Sequence, residues 1–340
     1  MSESRTATAE MITEDLGPIR HIGVCLDQST IGDRVMGQAV SVARAFDARL
    51  TILHVLDCRL RGAKSAPTDL LEWELRRTQA QQYLESIQDN FSTSGLEISC
   101  QILEGRPPEE IRDWVSGNDI DLTALASHGG RGRTAWRLAS TARKLVEGIA
   151  GSVFLVPADQ DRATVDGPTY KRILVPLDGS VRAESVLYVA ATMAQAHDGE
   201  LRLLHVVPWP DTSCPTPFDD YEHDLDRRLV ERNTRVARAY LGEVEQRLSR
   251  SGVRVKTDVA VDEVRGHLLR RIADDHVDLV IFSGHGAGGL AEVPFGSVAG
   301  FLLENANVPL LVMRDRTTEV HWTRSNPPAP ATLRRPQTGP

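Results

Sequence analysis

The sequence predicts an α/β chain made of two tandem, doubly wound domains, each a five-stranded parallel sheet covered by helices. Three observations predict it. First, residues 20–157 and 171–314 run in parallel: Ile22, Val24, Leu26, Asp27 and Ser29 match Ile173, Val175, Leu177, Asp178 and Ser180 at a constant offset, and Leu53-His54-Val55 matches Leu204-His205-Val206 at the same one. Ser127-His128-Gly129 then answers Gly284-His285-Gly286, and Ala139-Ser140 answers Gly296-Ser297, six residues further apart, so one fold is duplicated with a short insertion before the third strand of the second copy. Second, short apolar runs alternate with helical stretches in each copy. Third, those runs are apolar throughout rather than alternating, as expected of strands buried on both faces of a parallel sheet.

The elements follow in order. A first strand (22–26; 173–177) leads into an alanine-rich helix (35–45; 183–196), and a second strand follows (50–55; 201–207). A long charged segment then shows helical spacing, through Ala80, Leu84, Ile87 and Phe91 in one copy and Val236, Tyr240, Val244 and Leu248 in the other. Next come a third strand (97–103; 253–259), a helix (108–116; 266–274), a fourth strand (122–125; 279–282), a glycine loop, a helix and a fifth strand (153–156; 310–313). The fifth strands are short and apolar, and a strand left at a sheet edge invites pairing, so the two copies are expected to join there as a pseudo-twofold pair within one chain. The expected boundaries are a disordered tail at 1–18, a first domain at 19–157, a linker at 158–170, a second domain at 171–315 and a disordered Pro/Arg-rich tail at 316–340.

Composition removes several function classes. A chain of 340 residues holds two ordinary domains, and a formal charge of −8 gives no dominant basic face for nucleic acid. Cys25, Cys58, Cys100 and Cys214 stand far apart with no metal-ligand spacing, which points to a reducing compartment, the cytoplasm. The longest apolar runs, such as 279–282, are strand-sized, and no N-terminal apolar leader precedes them, so neither secretion nor a membrane partner is expected. Trp73, Trp114, Trp136 and Trp209 show no interleaving with basic residues and read as packing. His54 and His205 read as core or turn histidines.

In parallel sheets ligands sit beyond the carboxyl ends of the strands, which directs attention to the loops after strands one and four. In the second copy Ser283-Gly284-His285-Gly286, nine residues and Gly296-Ser297-Val298 carry a phosphate mechanism. Glycines 284 and 286 tolerate positive φ and let backbone N–H groups approach a ligand, and the following helix offers unpaired N–H groups and a positive dipole end. His285 lies within reach of such a phosphate. Against this stands a plainer account, in which Ser297 is an N-cap, the glycines serve tight turns and Asp178 only caps the turn after the first strand.

The arrangement resembles the universal stress protein family in its tandem form. The family's nucleotide motif of Gly, two residues, Gly, nine residues, then Gly with Ser or Thr is similar to 283–297 here, with Ser283 in place of the first glycine. The opening segment 173–180 and the pair His205-Val206 also look like that family's first and second strands. The resemblance implies a Rossmann-like strand order 3-2-1-4-5 and binding of ATP or another adenine nucleotide, with or without Mg2+. It puts Pro176, Asp178 and Val206 on the adenosine side, and Ser283, Gly284, Gly286, Gly296, Ser297 and Val298 around the phosphates.

The first copy departs from this. Ala126 and Ala139 stand at glycine positions of the motif, Cys25 replaces the proline found at 176, and the loop carries Arg131, Arg133 and Arg137 with Arg143 and Lys144 beyond. Guanidinium groups can replace backbone amides in holding an anion, which makes Asp27, Gly129, Arg131, Arg133 and Ser140 a candidate second anion site. A solvated basic loop on a degenerate copy is the alternative. For the whole chain the leading reading is a cytoplasmic stress-response or signalling protein regulated by an adenine nucleotide bound mainly in the second domain. A slow ATPase or nucleotidyl transferase, and a nucleotide-free interaction module, remain as alternatives, as does association into a homodimer. The chain carries no P-loop Gly-Lys-Ser/Thr and no catalytic residue is assigned.

Overall fold

The computed structural model describes residues 19–29, 31–57, 70–127, 138, 140–149, 151–158, 166–210, 220–286 and 293–314. The first half runs β1 (His21–Cys25), α1 (Gly32–Phe46), β2 (Arg49–Asp57), α2 (Leu70–Asn90), β3 (Ile98–Gly105), α3 (Pro107–Gly117), β4 (Leu122–Ala126), α4 (Ser140–Gly148) and β5 (Ser152–Val156). The second runs β6 (Arg172–Pro176), α5 (Val181–Glu184), α6 (Leu187–Ala196), β7 (Glu200–Val207), α7 (Asp220–Arg250), β8 (Arg254–Val261), α8 (Val264–Asp274), β9 (Leu279–Ser283), α9 (Ser297–Asn305) and β10 (Leu310–Met313). The calls on both tails fall outside the described residues.

All strands join one ten-stranded sheet in the order β3-β2-β1-β4-β5-β10-β9-β6-β7-β8. Each half has the expected order 3-2-1-4-5 and is parallel throughout. Among the described strands the single antiparallel contact is the seam between halves, where Leu310, Leu311 and Val312 pair with Leu155, Phe154 and Val153. These six side chains are buried, so each fifth strand removes the other's open edge. Two apolar layers cover the sheet, one on each face, and both run through the seam: one gathers Val24, Val40, Phe154, Ala190 and Leu311, the other Leu125, Val153, Val280, Leu302 and Val312.

Further contacts lock the halves. Helix α1 packs on α6. The Tyr170 hydroxyl donates to Gln38 Oε1, and Ser41 Oγ donates to the carbonyl of Pro168 at 2.6 Å. Tyr170, which the sequence reading gives to the linker, has one of the largest fully buried side chains. His197 meets its ring edge-on at 5.1 Å. Burial, reinforced by the nearby Lys171 ammonium, lowers the His197 pKa to about 4.

Two expectations need correcting. The helix predicted over 183–196 is interrupted: α5 is a single turn capped by Ser180, whose hydroxyl accepts from Ala183 N at 3.1 Å, and α6 starts at Leu187. In α7 the residue 236 side chain is exposed and Ala237, Leu241, Val244 and Leu248 form the buried stripe. Steps of four residues from 236 drift around a 3.6-residue helix, and the stripe follows the steps of three and four instead. In the first copy Ala80, Leu84 and Ile87 of α2 and Phe91 just after it are buried as expected.

Candidate functional site

Strand β6 lies between β7 and β9, so its chain continues to opposite sides of the sheet and the loops after β6 and β9 emerge side by side at the carboxyl edge. After Pro176, Leu177 N donates to Leu204 O at 2.9 Å and carries the ladder one step past the strand. Asp178 then closes a tight turn: its Oδ1 accepts from Ser180 N at 3.0 Å and from Ser180 Oγ at 2.6 Å, with Gly179 at φ +81 between them. Asp178 therefore shapes the turn, while Ser180 is the helix cap. Its other carboxylate oxygen points across to the second loop, where a Cβ built on Gly286 would run into Oδ2.

The second loop is organised by its own backbone. Gly284 N donates to Met313 O at 2.8 Å, and Gly296 N donates back to Gly284 O at 2.9 Å, which folds the far limb of the loop onto the near one. His285 N donates to Ser283 Oγ at 3.4 Å. Its ring Nε2 donates to Val293 O at 2.7 Å, so His285 staples the loop rather than presenting itself to a ligand. Gly296 is the N-cap of α9 at φ −66 and ψ 164, with no side chain supplying a cap bond, and Ser297 is the first helical residue. The N-cap account of Ser297 is thereby replaced: its hydroxyl stands at the open end of a helix whose first N–H groups lack intrahelical acceptors. Gly286 N lies 4.0 Å from the point a Gly296 Cβ would occupy, so the loop amide and the helix N-terminus converge.

The reason for the glycines differs from the expected one. Among Gly284, Gly286 and Gly296 none has a φ in the left-handed range. What Gly286 and Gly284 need is space, while a Cβ at Gly296 would meet only ordinary van der Waals contact. At 286 the space is taken by the Asp178 carboxylate; at 284 a Cβ would meet Arg314 Cγ at 3.3 Å and Phe295 Cδ1 at 3.6 Å; at 296 the nearest atom, Gly284 O, is 3.7 Å away. Pro176, Val206 and Val298 are half-buried, the last two packed on the apolar layer beside α8 and α9. All nine predicted residues of the second-half site lie at the ends of β6, β7 and β9, in the loops just beyond β6 and β9, or at the start of α9.

A cavity of about 220 Å³ lies elsewhere, between β7, β8 and the end of α8, lined by residues that include Arg202, Lys256, Asp258, Arg271 and Asp275. Its charges are mutually paired, with Arg202 and Arg271 on Asp275 at 3.0 and 2.9 Å and Lys256 on Glu200 at 3.1 Å. The site at the carboxyl edge is the one where backbone donors, a helix terminus and a carboxylate converge.

The first half repeats part of this. Leu26 N donates to Leu53 O at 2.9 Å and Asp27 Oδ1 accepts from Ser29 N at 3.1 Å; Gln28, matching Gly179, takes φ +60. His54 is buried and its Nδ1 donates to Leu26 O at 2.8 Å, confirming a turn role. Sequence reading missed the partners of these histidines: Tyr83 meets His54 and Tyr240 meets His205, each edge-on at 6.4 Å, and the available signal was that the two tyrosines correspond once the six-residue insertion in the second copy is allowed for. Burial raises both phenols, with Asp33 and Asp27 adding for Tyr83 and Glu184 for Tyr240. Cys25, at the position of Pro176, is pushed up to about 12 by burial and is no nucleophile. Of the candidate second anion site, Asp27 and Ser140 are exposed, while Gly129, Arg131 and Arg133, like Arg137, fall outside the described residues. Arg143 is committed to Glu304 at 2.5 Å across the seam. Trp114 packs edge-on to His21 at 6.4 Å, but Trp209 is 58% exposed, against the packing expectation.

The family described as Universal stress protein matches residues 18–157 and again 169–314. The chain belongs to the universal stress protein family. A universal stress protein of Mycolicibacterium smegmatis is 24% identical over 298 residues, covering 86% of this chain and 96% of its own. One from Methanocaldococcus jannaschii is 25% identical and spans 44% of this chain and 98% of its own length, a single copy against this tandem pair. Among solved structures, a universal stress protein from Archaeoglobus fulgidus superposes with a TM-score of 0.60 at 16% identity, covering 88% of this chain and 99% of that one, which shows the fold.

Proposed function

We propose that this universal stress protein binds ATP or a related adenine nucleotide at the carboxyl edge of the second half and works in stress response or signalling. The observation that carries the reading is the meeting of two loops: Asp178 Oδ2 occupies the space over Gly286, and the Gly286 amide converges with the open N-terminus of α9. A phosphate suits that end because it is rich in unpaired N–H groups, carries the positive end of the helix dipole and has Gly296 in place of a bulkier cap. The Ser297 hydroxyl supplies a further donor. Pro176, Asp178 and Val206 are then left for the adenosine, with Ser283 and Gly284 shaping the loop behind the phosphates. The spacing of the resembling motif supports the same assignment.

Binding would tie the β6 loop to the β9 loop and stabilise that arrangement by mass action, shifting the population presented to a partner protein. Mg2+ would serve by neutralising the phosphates alongside Ser297. The cysteine usage supports a cytoplasmic setting, and among the described helices none is long and apolar enough to cross a membrane. Mass spectrometry of small molecules released from gently purified protein tests the reading. Adenine nucleotide retained at about one per chain is the expected result, and a ligand without adenine or phosphate would defeat it.

A further inference from the structure

Arg314 immediately follows β10, and its half-buried side chain is held between both halves of the molecule. Nη1 donates to the carbonyl of Ile149 at 2.6 Å and Nη2 to that of Pro294 at 2.9 Å, while the group lies over the Phe295 ring, 4.0 Å from its centroid. Its backbone N–H donates to Ser152 Oγ at 3.2 Å. Ile149 and Ser152 belong to the first half, at the entrance to β5. Pro294 and Phe295 form the limb that delivers Gly296 to the start of α9. Arg314 Cγ is also the nearest atom to the place a Gly284 Cβ would fill. One side chain therefore touches the first half and both limbs of the second loop.

The cation is held there against an electrostatic cost. Among the described residues no carboxylate pairs with it, and its Nε is buried without an acceptor. Burial draws its pKa down to about 10, so it stays charged at neutral pH. A buried charge without a counter-ion is unfavourable, and its planar fork suits the bridging of two carbonyls that a lysine would not span. The corresponding residue of the first copy is Pro157, which has no side-chain donor.

We infer that Arg314 is the positioning residue of the second-half site, bracing the 293–296 limb against the first half so that the loop takes its ligand-facing form only across the joined seam. The inference rests on the nucleotide reading for its purpose, but the brace itself is testable without nucleotide. In the full-length chain, Arg314→Met and Arg314→Lys are compared with the wild type by hydrogen exchange and by ATP titration calorimetry. Exchange at Gly284 and Gly296, whose N–H groups hold the loop closed, should quicken about tenfold in Arg314→Met, while Ile173 and Leu174 in β6 keep wild-type rates. ATP affinity should fall by about tenfold, with Arg314→Lys intermediate on both measures.

Unchanged exchange at Gly284 and Gly296 overturns the brace. Faster exchange with wild-type ATP affinity overturns its service to the site, and weaker affinity with unchanged exchange shows that Arg314 acts by charge alone, which also overturns it. If the wild type binds no ATP, the nucleotide reading fails, and the exchange comparison still decides the brace. Should Arg314→Met lose protection throughout β6, it is unfolded and Arg314→Lys decides on the same two measures.

Discussion

Alanine at Gly286 puts a methyl group where Asp178 Oδ2 lies, and the conflict has two ways to relax. If the carboxylate swings away, it gives up the bonds from Ser180 N and Ser180 Oγ. Hydrogen bonds to a charged acceptor contribute about 1.5–3 kcal/mol, and the solvent exposure of this turn favours the lower end. If the loop moves instead, the strain is that of overpacking, about 1–3 kcal/mol. The carboxylate route gives up two such bonds and the loop route is the cheaper, so Gly286→Ala should cost about 2 kcal/mol. In an Asp178→Ala background the obstacle is gone. Gly286 does not use left-handed backbone, so alanine there should be neutral or stabilising by up to about 1 kcal/mol through the unfolded chain. Urea unfolding of the wild type, both single variants and the double variant gives the coupling directly. A cost for Gly286→Ala that is the same in both backgrounds, within about 0.5 kcal/mol, would refute the claim that the two loops meet at this pair.

Other outcomes follow from the same structure. His197 is held at about 4, and His21, His54 and His205 are also lowered, in each case chiefly by burial. The unfolded chain takes up protons that the folded chain refuses as pH falls from about 6.5 towards 4, so their contribution is complete above 6.5 and lost through that window; for half-buried His197 this is about 1–2 kcal/mol after allowing for solvent screening. Urea midpoints measured from pH 7.5 to 4.5 should fall accordingly, with a shallower slope in His197→Gln. Phe154→Ala at the seam, where the ring is fully buried opposite Leu311, should cost about 3–5 kcal/mol in chemical denaturation. Arg143→Ala, which breaks a half-exposed pair with Glu304, should cost under about 1 kcal/mol by the same assay.

The duplicated pattern made the fold readable in the sequence, because Ile22-x-Val24 and Ile173-x-Val175 mark the same buried strand, and the short apolar fifth strands foretold their own pairing. The nine residues named for the candidate site come together at one edge of the second sheet half because they fall at or just beyond the ends of neighbouring strands. The reason for its glycines was not readable. Gly286 is constrained by a carboxylate on a different loop, and only the fold brings the two together. The α7 stripe was misread because a run of residues four apart looks helical while turning slowly off the buried face. Arg314 went unnoticed since it falls at the end of the repeat, where the only signal was the mismatch with Pro157.

The most direct test of the account is calorimetric titration of the full-length chain with ATP, run beside Gly296→Val, whose branched side chain would stand at the N-cap of α9 against Gly284 O, His285 Cα and Gly286 N. The account predicts about one tightly bound ATP per chain in the wild type, and loss of that binding in a variant that stays folded, since an N-cap substitution costs only about 1 kcal/mol. Absence of ATP binding by the wild type, two equally tight sites per chain, or undiminished binding by Gly296→Val would contradict it.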